Sequence, residues 1–525
     1  MILRQLKKWL KVHPPAGSTP TFSILTCLYE KSNADFFGQA ADSVRAQTAR
    51  NFQWVVLMQG AGTPELEQAL RLAQRQLGDQ LLLLRSPTNM GIIAGLRFCF
   101  ERATQDYVFV LDGDDLLHTS AISALSDFAR DQKSPDLIFS DEDHIKGTQR
   151  FAPYLRPGWD PVLNLSSSYI WHILAFRRDV GIELGVYSDK ASEFCQDWDT
   201  VCRFYLAEKN IRHLPKTLYH WRQHEASSTN TTQVHQGSFD SQKNVLQRIL
   251  SKRNLASTFQ VSDFPLFRGA REFWLQSEPK NFAAVIWLES AATSYALSDL
   301  LENLPPQCRE VIVMGPRPSG TDLGLAKSPQ FCQREELGSA ISGLSCEFVL
   351  FFSSLVKPNP EHLSQEMAGL YQLHSSVEVI AGVIAHSSGT VFGGDEVFSN
   401  FSPLVCPSLG SGSMDPGYMS LRLKPHQVSA PNARFFSARR DFLATALSIN
   451  SKFRDETLTS LGYFLGATAF QNLKTVAYSP LLHSQTETPA ETFRLSELPD
   501  LDSWCYSHRA EDAWVHFYKA VNLNL

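Results

Sequence analysis

The sequence predicts an α/β protein built on an open parallel sheet, with the pattern run twice along the chain. Three observations predict it. From residue 21, short apolar runs alternate with amphipathic segments of helix length; the fourth run ends abruptly in carboxylates; and the alternation restarts near residue 281. Strands alternating with helices of about 10–15 residues make right-handed βαβ units, whose strands pair in parallel.

Residues 1–20 read as a basic amphipathic helix and a Pro/Gly/Ser linker. Leu3, Leu6, Trp9 and Leu10 share one face, with Arg4, Lys7, Lys8 and Lys11 on the others. Such a helix suits an anionic membrane, here the inner face of the plasma membrane, or a face of its own protein. FSILTCLY (22–29) is the first strand, and residues 35–47 carry Phe36, Phe37, Ala40 and Val44 on one helical side. QWVVLM (53–58) and LLLLRS (81–86) are further strands, with helices at 64–77 and 91–103. DYVFVLDGDD (106–115) is a strand that runs into acid. In parallel sheets ligands gather at the carboxyl ends of the strands, where these acids stand. A polar stretch (225–237), a helix (241–252) and a linker with a hairpin follow, and NFAAVIWLES, CREVIVMGP and SCEFVLFFSS then restart the pattern. The expected domains are 1–20, 21–255, 256–280 (linker), 281–490 and an aromatic tail, 491–525. In that tail Trp504, Tyr506, Trp514, Phe517 and Tyr518 suit a helix packed on the core.

Composition narrows the class. A chain of 525 residues suits two to four domains at about 150 residues each. The 48 Lys+Arg against 54 Asp+Glu leave −6, without the basic excess of a nucleic-acid binder. The longest apolar runs, such as 81–84 and 107–111, fall far below the ~20 residues of a membrane span. The N terminus shows no secretory leader, and nine cysteines without a C-x-x-C pair suit a reducing compartment. A soluble cytoplasmic protein is expected.

Two carboxylates one residue apart after a strand, Asp112 and Asp114 with Gly113 between, can share a hard cation that keeps positions open for phosphate oxygens. Further acids stand in Ser140-Asp141-Glu142-Asp143, and in Gln196-Asp197-Trp198-Asp199 at a helix start. A carboxylate there reads as a cap or as a base for an attacking hydroxyl. His220 and His224 are candidates for an additional metal ligand.

In order along residues 21–255, SILTCLYE, Ser43-Val44-x-x-Gln47, Asn89-Met90-Gly91, VLDGDDLL, FSDEDHI, LRPGWDPVLNLSSSYIWH, QDWDTVCRF and LPKTLYHWRQHEASST resemble family-2 glycosyltransferases of the GT-A fold, of the kind that assembles bacterial O-antigen and capsule. The resemblance implies an enzyme with an inverting transfer of sugar from a nucleotide-sugar (UDP-, dTDP- or GDP-linked), with Mn²⁺ or Mg²⁺. The implied acceptor is a glycan or lipid-linked glycan, and the implied partners are other polysaccharide-assembly enzymes. It places Tyr29 against the nucleobase, Gln59 and Asn89 at the nucleotide, and Asp112 at the ribose and donor sugar. Asp114 and Asp112 would hold the cation, with His220 beside it and His224 as the fallback. Asp197 would be the catalytic base. Trp159 and Trp198 would border the acceptor, and Asp141 and Glu142 would be acceptor-side or structural. The departures are a second strand that ends in Gln59-Gly60 without an acid, Cys27 in place of a frequent proline, and Arg97 in place of a small polar residue. They leave the nucleotide open.

Residues 281–485 resemble the same fold, degenerate in its catalytic groups. Ser353 and Leu355 stand for Asp112 and Asp114; with His483 matched to His220, Ser460 stands for Asp197 and Gly462 for Asp199. Asp455 or Glu456 would substitute in another register. The expectation is a pseudoenzyme domain that holds the acceptor, packs on the first module or recruits a partner. Alternatives are an inactive glycan-binding or scaffold protein, a metal-free second active site, a rear domain alike in fold alone, and a nucleotidyltransferase. The last would want a Gly/Arg/Lys-rich phosphate loop after its first strand, which SILTCLYEKSNAD lacks.

Overall fold

The computed structural model describes residues 19–224, 236–266, 272–290, 294–316, 329–397, 406–449 and 458–489. The basic N-terminal helix, most of the polar stretch after 224, Asp455, Glu456 and the aromatic tail lie outside the described residues. Among the described residues no helix is long and apolar enough to cross a membrane. They form two compact units, one of 19–159 with 168–253 and one of 160–167 with 254–489.

The first unit follows the predicted alternation through β1 (Phe22–Tyr29), α1 (Ala34–Arg45), β2 (Phe52–Gln59), α2 (Pro64–Leu77), β3 (Leu81–Ser86), α3 (Ile92–Phe100) and β4 (Tyr107–Val110). Local chemistry sets the helix starts. Asn33 accepts the Asp35 and Phe36 amides, and Thr63 caps α2 ahead of Pro64, which has no amide to satisfy. After β4 come β5 (Leu116–Leu117), α4 (Ala121–Asp131), β6 (Leu137–Lys146) and β7 (Gln149–Tyr154). The next helix, α5 (Pro161–Ser166), belongs to the second unit. There Gln427 donates its amide to the Asp160 carboxylate at 2.7 Å, Ser166 donates to the Pro425 carbonyl, and Val162 joins the core. The expected boundary of 21–255 is therefore interrupted. The first unit resumes with β8 (Leu174–Arg177), α6 (Arg178–Glu183), α7 (Gln196–Leu206), β9 (Ile211–Arg222) and α8 (Gln236–Lys252).

Its sheet runs β3-β2-β1-β4-β8-β6-β9-β5, with β7 on β6. The β3-β2-β1-β4 half is parallel as expected. Beyond β4 the sheet is mixed, since β8 is antiparallel to β4 and β6. The regular strand–helix alternation has ended by then, so no right-handed crossover enforces parallel pairing. Trp54, fully buried, donates its indole N–H to Thr26 Oγ1 at 2.9 Å, and Thr26 donates to the Leu111 carbonyl at 2.7 Å. This chain of bonds fastens the end of β4 to β1 and β2, just before the carboxylates.

The acids 141–143 lie inside β6. All three are buried and each faces a cation or imidazole. Asp141 bonds His213 at 2.9 Å, Glu142 meets Arg156 at 3.0 Å, and Asp143 bonds His220 at 2.6 Å and Arg150 at 2.7 Å. Arg156 is itself buried, donating to the Ser140 and Tyr169 carbonyls.

The second unit begins with a two-stranded ribbon, β10 (Phe259–Asp263) and β11 (Phe273–Ser277), where the hairpin was expected. It continues with β12 (Phe282–Trp287), α9 (Leu297–Glu302), β13 (Cys308–Met314), β14 (Gln330–Cys332), α10 (Leu337–Ser342), β15 (Phe348–Ser353), β16 (Lys357–Pro358), α11 (Leu363–Leu373), β17 (Val377–His386) and β18 (Val391–Gly393). β19 (His426–Val428), β20 (Phe435–Arg439), α12 (Arg440–Ile449), α13 (Leu458–Gln471) and β21 (Thr475–Thr486) complete it. The strand order is β14-β13-β12-β15-β20-β17-β21-β16, with β18 on β17. Apart from β19, which pairs antiparallel with β21, the strands repeat the first sheet, parallel and antiparallel pairs included. The fold is duplicated within the chain.

Removing a buried ion-pair partner leaves its mate uncompensated, at a cost of about 3–5 kcal/mol. Arg156→Met should destabilise the first unit by that order, read as a drop in the urea midpoint. Adding Glu142→Gln should restore part of it, because the orphaned charge is then gone.

Candidate active site

The site forms at the carboxyl ends of β1, β2 and β4. Asp112, just past β4, keeps its side chain 55% exposed, while the backbone turns sharply beneath it. A side chain at Gly113 would put its Cβ 2.3 Å from Leu28 Cδ2, so only glycine lets the acidic turn lie on β1. Asp115 is held down: the Tyr219 hydroxyl donates to it at 2.7 Å and the Arg222 amide at 2.7 Å. Tyr219 also receives the Asp112 amide at 3.1 Å.

His172 joins the carboxylates from residues 167–173, between α5 and β8. Its Nδ1 lies 3.1 Å from Glu142 and its Nε2 3.9 Å from Asp112, with the ring stacked on Tyr219 at 4.3 Å. Burial opposes its charge, but the Glu142 hydrogen bond and the charges of Glu142, Asp112 and Asp197 win, raising its pKa to about 9. For Glu142, burial works to raise the pKa, and Arg156 and His172 outweigh it to give a net lowering. Glu142 thus stays ionised and His172 protonated at neutral pH. Among the described residues, Asp112, Asp115 and His172 bring ligand-type atoms within 4.8 Å of one another. Asp115 already accepts two hydrogen bonds, so its oxygens are the less open.

Asp197 lies in the first turn of α7. A helix N-terminus favours a carboxylate, but here burial dominates, and the charges of Asp112 and Glu142 add to it against His172. The carboxyl is pushed up to about 7. Its neighbour Asp199 is structural: buried, it pairs with Arg203 at 2.9 Å and with Arg248, and accepts from Ser192.

The other expected residues separate into those at the cleft and those away from it. Tyr29 is 41% exposed at the end of β1, and Asn89 is exposed while its carbonyl accepts the Gly91 amide. Gln59 is buried and its carbonyl accepts the Met90 amide at 2.9 Å, so it braces the turn before α3. Asp114 is 2.9 Å from His224 Nε2, whereas His220, expected beside the cation, bonds Asp143. Side chains alternate faces along β9, so with Tyr219 directed at Asp115, His220 points the other way. His224, beyond the strand, is free of that alternation. Glu142 is wholly buried and cannot touch an acceptor; it works through His172. Trp198 is likewise buried, 3% exposed, because it lies on the core side of α7. Trp159 is half-buried, edge-on to Tyr205 at 5.8 Å. His172 escaped the sequence reading although it closes the quoted stretch ending YIWH. An isolated histidine gives no signal until the fold sets it between two acids.

Residues 23–184 match the family described as Glycosyl transferase family 2. That stretch of the front unit is a family-2 glycosyltransferase segment. Among curated relatives of this glycosyltransferase domain, the O-antigen biosynthesis protein RfbC of Myxococcus xanthus is 27% identical over 211 residues, 40% of this chain and 16% of that protein. The UDP-Gal:alpha-D-GlcNAc-diphosphoundecaprenol beta-1,3-galactosyltransferase of Escherichia coli is 29% identical over 113 residues, 22% of this chain and 40% of that protein. The chain thus spans less than half the length of these relatives. Among solved structures, S. aureus TarS in complex with UDP-GlcNAc aligns with TM-score 0.36 and 16% identity, over 44% of this chain and 66% of that one.

Register carries the positions of this candidate site across to the second unit. Tyr107 pairs with Arg177 in the first sheet and Phe348 with Arg439 in the second, which aligns the two. Ser353 and Leu355 then take the places of Asp112 and Asp114, Glu289 that of Tyr29, and Arg434 that of His172. Arg434 forks onto Glu289 with two contacts of 3.1 Å. Leu116 pairs with His220, and Lys357 with Gln485, so Gln485 and not His483 corresponds to His220. Ser460 is fully buried in α13.

His172 titrates in the folded protein at about 9 against an ordinary 6.5. Its stabilising contribution should be complete below pH 6.5 and disappear as pH rises through about 9. Urea midpoints between pH 6 and 10 should show this loss, and Glu142→Gln should lower the imidazole pKa seen by NMR.

Proposed function

We propose that the chain is an inverting glycosyltransferase that moves a sugar from a nucleotide-sugar to a hydroxyl of a glycan acceptor in bacterial surface polysaccharide assembly. The observation that carries it is Asp197, held near neutrality at about 7 within electrostatic reach of Asp112 and His172 at the strand ends. A base works best with a pKa close to the working pH. The relatives named for O-antigen biosynthesis and galactosyl transfer support the class of reaction.

In this reading Tyr29 and Asn89 border the nucleotide, and Asp112 meets the ribose and donor sugar. The acceptor hydroxyl gives its proton to Asp197, its oxygen bonds to the anomeric carbon, and the nucleoside diphosphate leaves from the opposite face. His172, cationic and 3.9 Å from Asp112, offsets negative charge on that side. Two exposed carboxylates, Asp112 and Asp114, would hold a hard divalent cation such as Mn²⁺ or Mg²⁺, with His224 in contact with Asp114 alone. When bound, that cation would neutralise the diphosphate. The second unit we read as a pseudo-transferase. It lacks both strand-end carboxylates, and the Glu289–Arg434 fork fills the positions of Tyr29 and His172.

Asp197→Asn should lower kcat by about 10²–10⁴-fold with little change in donor affinity. In the wild type kcat/KM should fall tenfold per pH unit below about 7 and level off above it, because only the carboxylate accepts the proton. Undiminished turnover by Asp197→Asn would refute the base. Thermal-shift screening of UDP, GDP and dTDP with and without Mn²⁺ should show metal-dependent stabilisation by one of them, and Asp112→Asn with Asp114→Asn should abolish it.

A further inference from the structure

The second unit holds a cavity of ≈ 230 Å³, a space about eight waters would fill, at a place the proposed transfer does not use. Register shows how it arises. In the first sheet Phe139 pairs with His213, and Asp141 bonds that histidine at 2.9 Å. The corresponding residues of the second sheet are Val383, on β17, and Tyr478, on β21, where Ala381 pairs with Tyr478. The carboxylate–imidazole pair has been replaced by an apolar residue and a phenol, and both line the cavity.

Its walls combine an apolar surface with unengaged polar groups. Leu266, Val383, Met414, Pro480 and Leu481 supply the first. Leu266 and Met414 are 37% and 53% exposed, so the apolar surface reaches the mouth. Among the described residues, neither imidazole nitrogen of His483 has a hydrogen-bond partner, nor does the Ser413 hydroxyl. Asn359 uses its carbonyl for the Glu361 amide at 3.0 Å and keeps its NH₂ free. His362 is held at φ 61°, a left-handed conformation rare for a side-chain-bearing residue, with its ring 5.1 Å from Trp274.

The charges are already matched. Arg422 pairs with Asp415 at 2.5 Å, and Glu361 stands 3.4 Å from His362. Burial pushes the His483 pKa down, so its ring is neutral, one nitrogen donating and the other accepting. Among the described residues, no unpaired cation lines the wall to receive a phosphate. A neutral ring flanked by a hydroxyl, an amide and an apolar floor suits a ligand whose groups both donate and accept and whose carbon face is apolar.

We propose that this cavity binds one uncharged sugar residue of a glycan, with His483, Asn359 and Ser413 bonding its hydroxyls and Leu481, Pro480 and Met414 covering its C–H face. It rests on the reading of the chain as a glycosyltransferase, and it makes the second unit a holder of the glycan being extended.

The full chain would be probed by saturation-transfer NMR with the methyl glycosides of glucose, galactose, mannose, rhamnose and N-acetylglucosamine, without nucleotide. At least one should receive saturation, and equally in the Asp112→Asn/Asp197→Asn variant. His483→Leu should weaken that binding about tenfold, the loss of one hydrogen-bonding site. Ser413→Trp, on a surface loop at the mouth, should abolish it with an unchanged melting temperature. Saturation of none of the five overturns the proposal, as does binding that survives both rear variants, or binding that disappears in the Asp112→Asn/Asp197→Asn variant. Competition by inorganic pyrophosphate that persists in that front-site variant would overturn the uncharged class. Sugar-nucleotide hydrolysis, assayed separately, reports on the front site. A chain inert toward every donor yet binding a glycoside through His483 would lose the transferase reading and keep this one.

Discussion

Glu142 is a carboxylate with no access to water, and the chemistry of the front domain hangs from it. Arg156 on one side and His172 on the other keep it ionised despite burial. Its charge in turn keeps His172 protonated, and that cation opposes the rise in pKa of Asp112 and Asp197. Without the Glu142–Arg156 pair, His172 would lose its principal anion and the two cleft acids their counter-charge. The site is thus poised by a buried ion pair that touches no ligand, on a strand whose neighbouring acids, Asp141 and Asp143, are matched in the same way. Buried pairs of this kind contribute little net stability; here the pair sets the ionisation of its neighbours.

The two units show how one framework carries different chemistry. Strand order and pairing sense are shared, so the backbone repeats. What differs is what stands at equivalent positions. The strand-end acids of the first sheet are Ser353 and Leu355 in the second, and Arg434, in the place of His172, is neutralised by Glu289. Function follows the side chains grafted on the fold and not the fold itself. Where the first sheet closes its interior with Asp141 and His213, the second opens a cavity beside Val383 and Tyr478.

Much of this was legible in the chain. Helices such as Pro64–Leu77 and strands such as Phe22–Tyr29 announce themselves by period and by cap residues, which are local properties. The acidic turn after β4 stood out because carboxylates are costly next to a buried apolar strand. Three residues whose surroundings the chain did not reveal share a cause. Glu142, Trp198 and His220 each lie beside the right neighbours in sequence, but facing and depth are set by strand alternation and by packing. Residues 160–167 joined the second unit through bonds to Gln427 and Pro425, more than 250 positions away.

Sequence alone determined the elements, the doubled pattern and the location of the acids, because hydrophobic period and turn chemistry act within a few residues. The tertiary structure alone decided which histidine meets which carboxylate, how far each acid is shifted, and that the β-sheet turns mixed beyond β4. Those outcomes depend on burial and on charges brought together from distant segments, and a Coulomb interaction is governed by distance in space, not by separation along the chain.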